Sequence, residues 1–176
     1  MAHDVAGSIP RITKPSQLAR VVEMHWLEKS PLCIWGHDAI GKSQIVQQVA
    51  RKIALKHGWT EEDGRPFLAD VRLAALDPAD IQVGYIKDVI PIGDCERSFF
   101  DCGILFFDEL DRAKQQVVDV VFQLTDRRGV GRHQMLPGWS IVIAANSTFG
   151  CGTSALSPIL LVRMSHCIYA PAHPLD

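Results

Sequence analysis

The chain has 176 residues, 47% of them apolar and 22% charged, with a net charge of −2. That is enough for one domain with a sizeable core, and the near-neutral balance excludes a bulk electrostatic pull toward nucleic acid or anionic lipid. No apolar run approaches the ~20 residues of a membrane span, Met1 to Pro10 lacks a secretory pattern, and the five cysteines form no CxxC pair. The expectation is a cytoplasmic protein with reduced thiols, Cys33 and Cys167 among them buried in strands. The seven histidines show no metal-ligand spacing.

Residues 1-12 read as a loose N-terminal segment. Thr13 or Ser16 can cap a helix running to about Lys29, with Leu18, Val21, Val22 and His25 or Trp26 on one face. Pro31 to Trp35 is a short apolar run, readable as a buried strand. Ile45, Val49 and Ile53, with Val46, Ala50 and Ala54 beside them, then recur every four positions and mark a helix closed by His57-Gly58. Pro66 to Leu73 reads as a second strand, and Asp77 to Asp80 as a turn or helix start. Residues 82 to 102 have no sustained period and read as a loop of binding-site length.

Gly103 to Phe107 is apolar and ends in Asp108-Glu109, the pattern of a buried parallel strand emerging at its carboxyl end. Val117, Val118, Val121, Phe122 and Leu124 mark a helix ending near Arg128-Gly129. Residues 129 to 139 suit a projecting hairpin or loop. Ser140 to Ala145 is another buried strand, ending at Asn146, and Ser165 to Tyr169 a last short one. Between them, Ser154 to Arg163 reads as a short helix broken or started at Pro158. Alternating strands and helices imply an α/β fold with a mainly parallel sheet flanked by helices. Ligands of such sheets bind beyond the carboxyl ends of the strands.

Two stretches carry chemistry. Gly36-His37-Asp38-Ala39-Ile40-Gly41-Lys42-Ser43 fits G-x-x-x-x-G-K-[ST], the phosphate-binding P-loop, between an apolar strand and a helix. Backbone N–H groups at the helix start favour phosphate, and the two glycines let the backbone turn around it. Lys42 supplies charge to the β- and γ-phosphates of ATP, and the Ser43 hydroxyl can ligate Mg²⁺. Asp108 can hold Mg²⁺, directly or through water, and Glu109 can activate the attacking water.

The surrounding segments resemble those of MoxR-like AAA+ ATPases, in the dynein-related AAA subfamily. Gly103-Ile104-Leu105-Phe106-Phe107-Asp108-Glu109-Leu110-Asp111-Arg112-Ala113 is similar to that family's Walker B segment. Val71 to Asp80 is similar to its segment after the second strand. Asp126-Arg127-Arg128 with Leu136-Pro137-Gly138-Trp139 is similar to its hairpin, and Ile143-Ala144-Ala145-Asn146 to its sensor 1 strand. Leu156 to Arg163 is similar to the segment that carries its arginine finger.

The resemblance implies roles and partners. Glu109, Asn146 and Arg163 would be catalytic: Asn146 positions the lytic water with Glu109, and Arg163 reaches a neighbouring subunit's γ-phosphate. Arg112 reads as a solvated helix-start residue, with an interface position as the second candidate, and Arg127 and Arg128 as interface or surface charges. Residues 13-170 would be the AAA+ core of a homo-oligomeric ring, hexameric by the resemblance. The ring would remodel, or insert a cofactor into, a client protein, with a von Willebrand factor A-type partner.

The chain also departs from the family. Asp38 and Ala39 replace the Pro and Gly of its loop, Met164 replaces a Phe, and a helical lid would follow Tyr169. Residues 171-176 are the tail where that lid would begin, and the lid domain is expected to be absent. The alternatives are a degenerate nucleotide-binding assembly subunit without turnover, and an AAA+ motor on nucleic acid, which the charge balance makes unlikely.

Overall fold

Every second residue of the long apolar runs faces the same way, and this alternation builds the molecule. A computed structural model describes residues 9–77, 90–92, 98–130, 133–146 and 163–171. In chain order these give β1 (Arg11–Ile12), α1 (Pro15–Glu28), β2 (Leu32–Trp35), α2 (Lys42–Lys56), β3 (Leu68–Arg72), β4 (Cys102–Asp108) and α3 (Gln115–Arg127). There follow β5 (Gly129–Val130), β6 (His133–Gln134), β7 (Gly138–Ala145) and β8 (Ser165–Tyr169). Six strands form one sheet in the order β1-β8-β2-β7-β4-β3, and every neighbouring pair is parallel. β5 and β6 form the antiparallel hairpin expected after α3.

Both faces of the sheet are covered. Leu32, Ile34, Ile104, Phe106, Val142 and Ala144 pack under α1 and α2, against Leu18, Val22, Ile45, Val46, Val49 and Ile53. Cys33, Trp35, Leu105, Phe107, Ile141 and Ile143 pack on the other face with Val117, Val118, Val121 and Leu124 of α3. Burial on both sides is why these strands read as continuous apolar runs rather than alternating ones. Among the described residues Cys33, Cys102 and Cys167 are free, buried thiols, and burial pushes the Cys167 thiol up to about 12.

Several details differ from the sequence reading. Arg11–Ile12 is not loose: it pairs with Ile168–Tyr169 at the sheet edge, and Ile12 is buried. A two-residue strand is too short to show a period. The first helix is not capped by Thr13 or Ser16. Lys14 takes the N-cap position without a side-chain bond, and Pro15 opens the helix, where its missing N–H costs nothing. The helix ends where the sequence put it, at Lys29, which takes a left-handed conformation with its N–H bonded back to Trp26 O. Cys102, read as loop, begins β4. Most of the 82 to 102 stretch, the 154 to 162 helix and the tail lie outside the described residues. No helix among the described residues is long and apolar enough to cross a membrane.

Candidate functional site

The strand order places β7, late in sequence, between β2 and β4. The loop after β2, Asn146 after β7 and Asp108 at the end of β4 therefore emerge side by side at the carboxyl edge. Asp108 continues the alternation of Ile104 and Phe106, so it faces the α2 side of the sheet. The same phase carries Val142 and Ala144 toward α2, with Asn146 next in that series. Together they border a cleft of about 550 Å³ lined by Asp38, Ala39, Ile40, Gly41, Lys42, Ser43, Gln44, Asp108, Glu109, Arg112 and Asn146.

The loop geometry is specific. A Cβ on Gly36 would lie 2.4 Å from Tyr169 O and 2.7 Å from Ile40 Cδ1, so the close passage of β8 demands glycine there. Gly41, at φ 88°, is the N-cap of α2 and offers no side-chain cap. The first intrahelical bond is Ile45 N–H to Gly41 O at 3.1 Å. The amides of Lys42, Ser43 and Gln44 open the helix ahead of it, at the positive end of its dipole. Ala39 adopts φ 59°, the conformation that a non-glycine residue resists.

The side chains interlock. Lys42 is buried and donates from Nζ to Gly36 O at 2.8 Å, His37 O at 2.7 Å and Asn146 Oδ1 at 3.0 Å. Burial lowers its pKa, while the charges of Asp108, Asp38 and Asp111 act to raise it. An added anion would therefore favour the charged ammonium. Ser43 Oγ donates to Asp108 Oδ2 at 3.0 Å, and the Glu109 amide donates to Asp108 Oδ1 at 2.9 Å. A hydroxyl and a carboxylate in contact are the hard oxygen donors that Mg²⁺ takes from a protein when phosphates and water supply the rest. No cluster of three or more His, Cys, Asp or Glu able to hold a metal occurs among the described residues. Asp70, one strand outward, has its carboxyl pushed up, first by desolvation and then by the Asp108 charge.

Most of the residues singled out in the sequence meet here. Gly36 and His37 lie beneath or beside the cleft and contribute carbonyls to Lys42 rather than lining it. Arg163 is elsewhere. It precedes β8, whose Ser165 is level with Leu32 at the start of β2, so it sits at the amino ends of the strands, paired with Asp126. The length of β2, about 13 Å for four residues, separates that level from its own cleft.

Three residues were not foreseen in their settings. Asp111 Oδ1 accepts the Asn146 amide at 2.8 Å and fixes the end of β7. Arg112 is exposed, as a solvated residue would be, but it ends a short 3-10 turn rather than starting a helix, and it lines the cleft and pairs with Asp38 at 3.1 Å. Arg128 is half-buried and donates to Lys29 O and Trp139 O. An acid in the P-loop and an arginine after the strand acid were the signals for the Arg112 pair.

No family model and no curated protein matches this chain. Solved structures do. An ATPase of Cytophaga hutchinsonii, described as putative, aligns with TM-score 0.60 and 13% identity over 93% of this chain and 48% of that one. A RuvB variant of Thermotoga maritima aligns with TM-score 0.58 and 14% identity over 89% and 46%. NtrX of Brucella abortus, in complex with ATP, aligns with TM-score 0.54 and 15% identity over 87% and 34%. The chain thus spans a third to a half of the length of these proteins. What it shares with them is the fold, a mixed α/β core of the AAA+ P-loop type with a parallel central sheet flanked by helices.

Proposed function

We propose that this chain binds Mg²⁺-ATP in the cleft and hydrolyses it as a MoxR-like AAA+ module. The observation that carries the reading is the convergence of two contacts, Ser43 Oγ on Asp108 and Lys42 Nζ on Asn146. Together they bring the P-loop, the strand acid and the strand-end amide within one cleft. The α2 amides and Lys42 hold the phosphates. Ser43 and Asp108 hold Mg²⁺, which when bound offsets phosphate charge. Asn146, its oxygen turned to Lys42, presents its amide nitrogen to the water that Glu109 activates. Glu109 accepts that water's proton as the water oxygen bonds to the γ-phosphorus. The bond to the β–γ bridging oxygen breaks, leaving ADP and inorganic phosphate. Arg163 serves a neighbouring copy in a ring, and the ring remodels or loads a protein client with a von Willebrand factor A-type partner. These last roles rest on resemblance alone.

The test is calorimetry with Mg-ATP alongside phosphate release. Lys42→Ala should weaken binding by about 100-fold, because a charged hydrogen-bond donor to phosphate is lost. Glu109→Gln should bind as wild type and lose turnover by about 10²- to 10⁴-fold. Wild-type protein that binds no nucleotide would overturn the reading. Binding without turnover in the wild type would favour the assembly-subunit alternative, to which the strained Ala39 lends support.

A further inference from the structure

The mouth of the cleft holds a charge arrangement that the chemistry above leaves unused. Arg112 donates from Nη2 to Asp38 Oδ2 at 3.1 Å, and its Nη1 stands 3.8 Å from Glu109 Oε1. Asp38 belongs to the P-loop and Arg112 to the turn after β4, so one exposed pair ties the two sides of the cleft together. Among the described residues the charged lining is three acids, Asp38, Asp108 and Glu109, against two cations, Lys42 and Arg112. Lys42 has three N–H donors, and Gly36 O, His37 O and Asn146 Oδ1 take them. Arg112 has five donors in a planar fork, and its side chain is 54% exposed. It is the lining cation with donors to spare.

A polyphosphate laid along the P-loop comes beside Asp38 and is repelled by it. The same polyphosphate attracts Arg112. An exposed ion pair such as Asp38–Arg112 holds its partners by a factor of about five at most. Phosphate oxygens take a guanidinium two at a time and more strongly.

We infer that Arg112 is a phosphate ligand held in reserve by Asp38: the carboxylate keeps the guanidinium until nucleotide binds, and the terminal phosphate of ATP then takes it over. Asp38 is then a competitor that sets the affinity, not a defect of the loop. Arg112 also flanks Glu109, the group assigned to the lytic water, so it reads the phosphate to be transferred and favours ATP over ADP. This rests on the Mg-ATP reading. In the opposing arrangement Arg112 stays on Asp38 when nucleotide binds and only masks its charge.

A double-mutant cycle separates the two by sign. The wild-type chain, Asp38→Asn, Arg112→Ala, the double variant and Lys42→Ala are titrated with Mg-ATP and Mg-ADP. Asp38→Asn should tighten Mg-ATP about threefold to fivefold. Arg112→Ala should weaken Mg-ATP about tenfold and Mg-ADP about twofold or less. The gain from Asp38→Asn should shrink when Arg112 is gone, because only direct repulsion is then relieved. Arg112→Lys, which keeps the charge without the fork, should recover part of the Mg-ATP loss. A larger Asp38→Asn gain in the Arg112→Ala background, or Arg112→Ala binding like wild type, overturns the inference. If Lys42→Ala abolishes binding while the Arg112 variants are silent, the nucleotide site stands and the reserve ligand falls. If wild type binds neither nucleotide, both fall.

Discussion

The two ends of the sheet use the same residue types to opposite effect. Among the described residues, four non-glycine positions have positive φ: Lys29, Ala39, Glu109 and Arg128. Lys29 and Arg128 lie at the amino ends of the strands, where they terminate α1 and α3 with their N–H groups bonded back into the helix. Their side chains go to fixed carbonyls. Lys29 Nζ donates to Gly138 O at 3.0 Å while lying over the Trp26 ring, and Arg128 donates to Lys29 O at 3.2 Å and Trp139 O at 2.6 Å. Ala39 and Glu109 lie at the carboxyl ends, in the cleft. There the exposed cation, Arg112, faces carboxylates rather than fixed carbonyls, and the first amides of α2 have no side-chain cap. Lys29 and Arg128 donate to carbonyls that have nowhere to go, whereas the exposed pair of Arg112 with Asp38 is weak enough to exchange partners.

Arg163 offers the strongest way to break this contrast. It stands at the closed end, yet the proposed ring gives it chemistry. Arg163→Ala should keep Mg-ATP binding and lose turnover by about 10³-fold, once sedimentation shows that an oligomer forms. Mixing it with Glu109→Gln should restore activity wherever an intact Glu109 meets a neighbour's intact Arg163. Turnover independent of concentration, with no rescue in any mixture, would return Arg163 to a surface pair with Asp126.

Next in size are two glycine substitutions that sharpen the contrast. Arg128→Gly relieves a left-handed residue but strips two carbonyls of a charged donor, and denaturant unfolding should show a loss of about 2 kcal/mol. Ala39→Gly relieves the same conformation with nothing to lose, and should gain about 0.5–1 kcal/mol. Equal signs in the two variants would mean that the carbonyl contacts at the closed end contribute nothing.

The smallest effect belongs to His25, at the closed end, with Nδ1 2.7 Å from Ser30 Oγ. Burial lowers its pKa below the ordinary value of 6.5, against the opposing pull of Glu28 and Ser30. The unfolded chain then binds the proton more readily than the native one. The stability His25 contributes is full above about pH 6.5 and is lost as pH falls through its depressed native value. Melting temperature should fall on acidification across that window, and His25→Gln should flatten the fall. An unchanged pH profile in the variant would place the acid sensitivity elsewhere.

The sequence revealed what is local. β2, β4 and β7 are apolar runs because both faces are covered, and α2 shows its buried stripe at every fourth residue. The P-loop and Asp108-Glu109 sit at the edges of such runs, where pattern and chemistry coincide. What depends on distant pairing stayed hidden. The pairing of Arg112 did not show because its partner, Asp38, is 74 positions away. Arg128 looked like a surface charge because its acceptors, Lys29 O and Trp139 O, belong to other segments. Arg11–Ile12 gains its strand only from β8, and the order of the sheet follows from the same long-range bonds.

The place of β7 has a consequence in time. β2 and β4 share no ladder; each is bonded to β7, made later than both. As the chain leaves the ribosome, the P-loop and Asp108 are synthesised well before the strand that brings them together. Parallel pairing at such sequence separation carries a high contact order, and the loop-closure entropy must be spent before the pairing repays it. On the Mg-ATP proposal, nucleotide stabilises only a chain whose cleft exists. It should therefore slow unfolding far more than it speeds folding, acting as a lock on the finished sheet rather than a template for it.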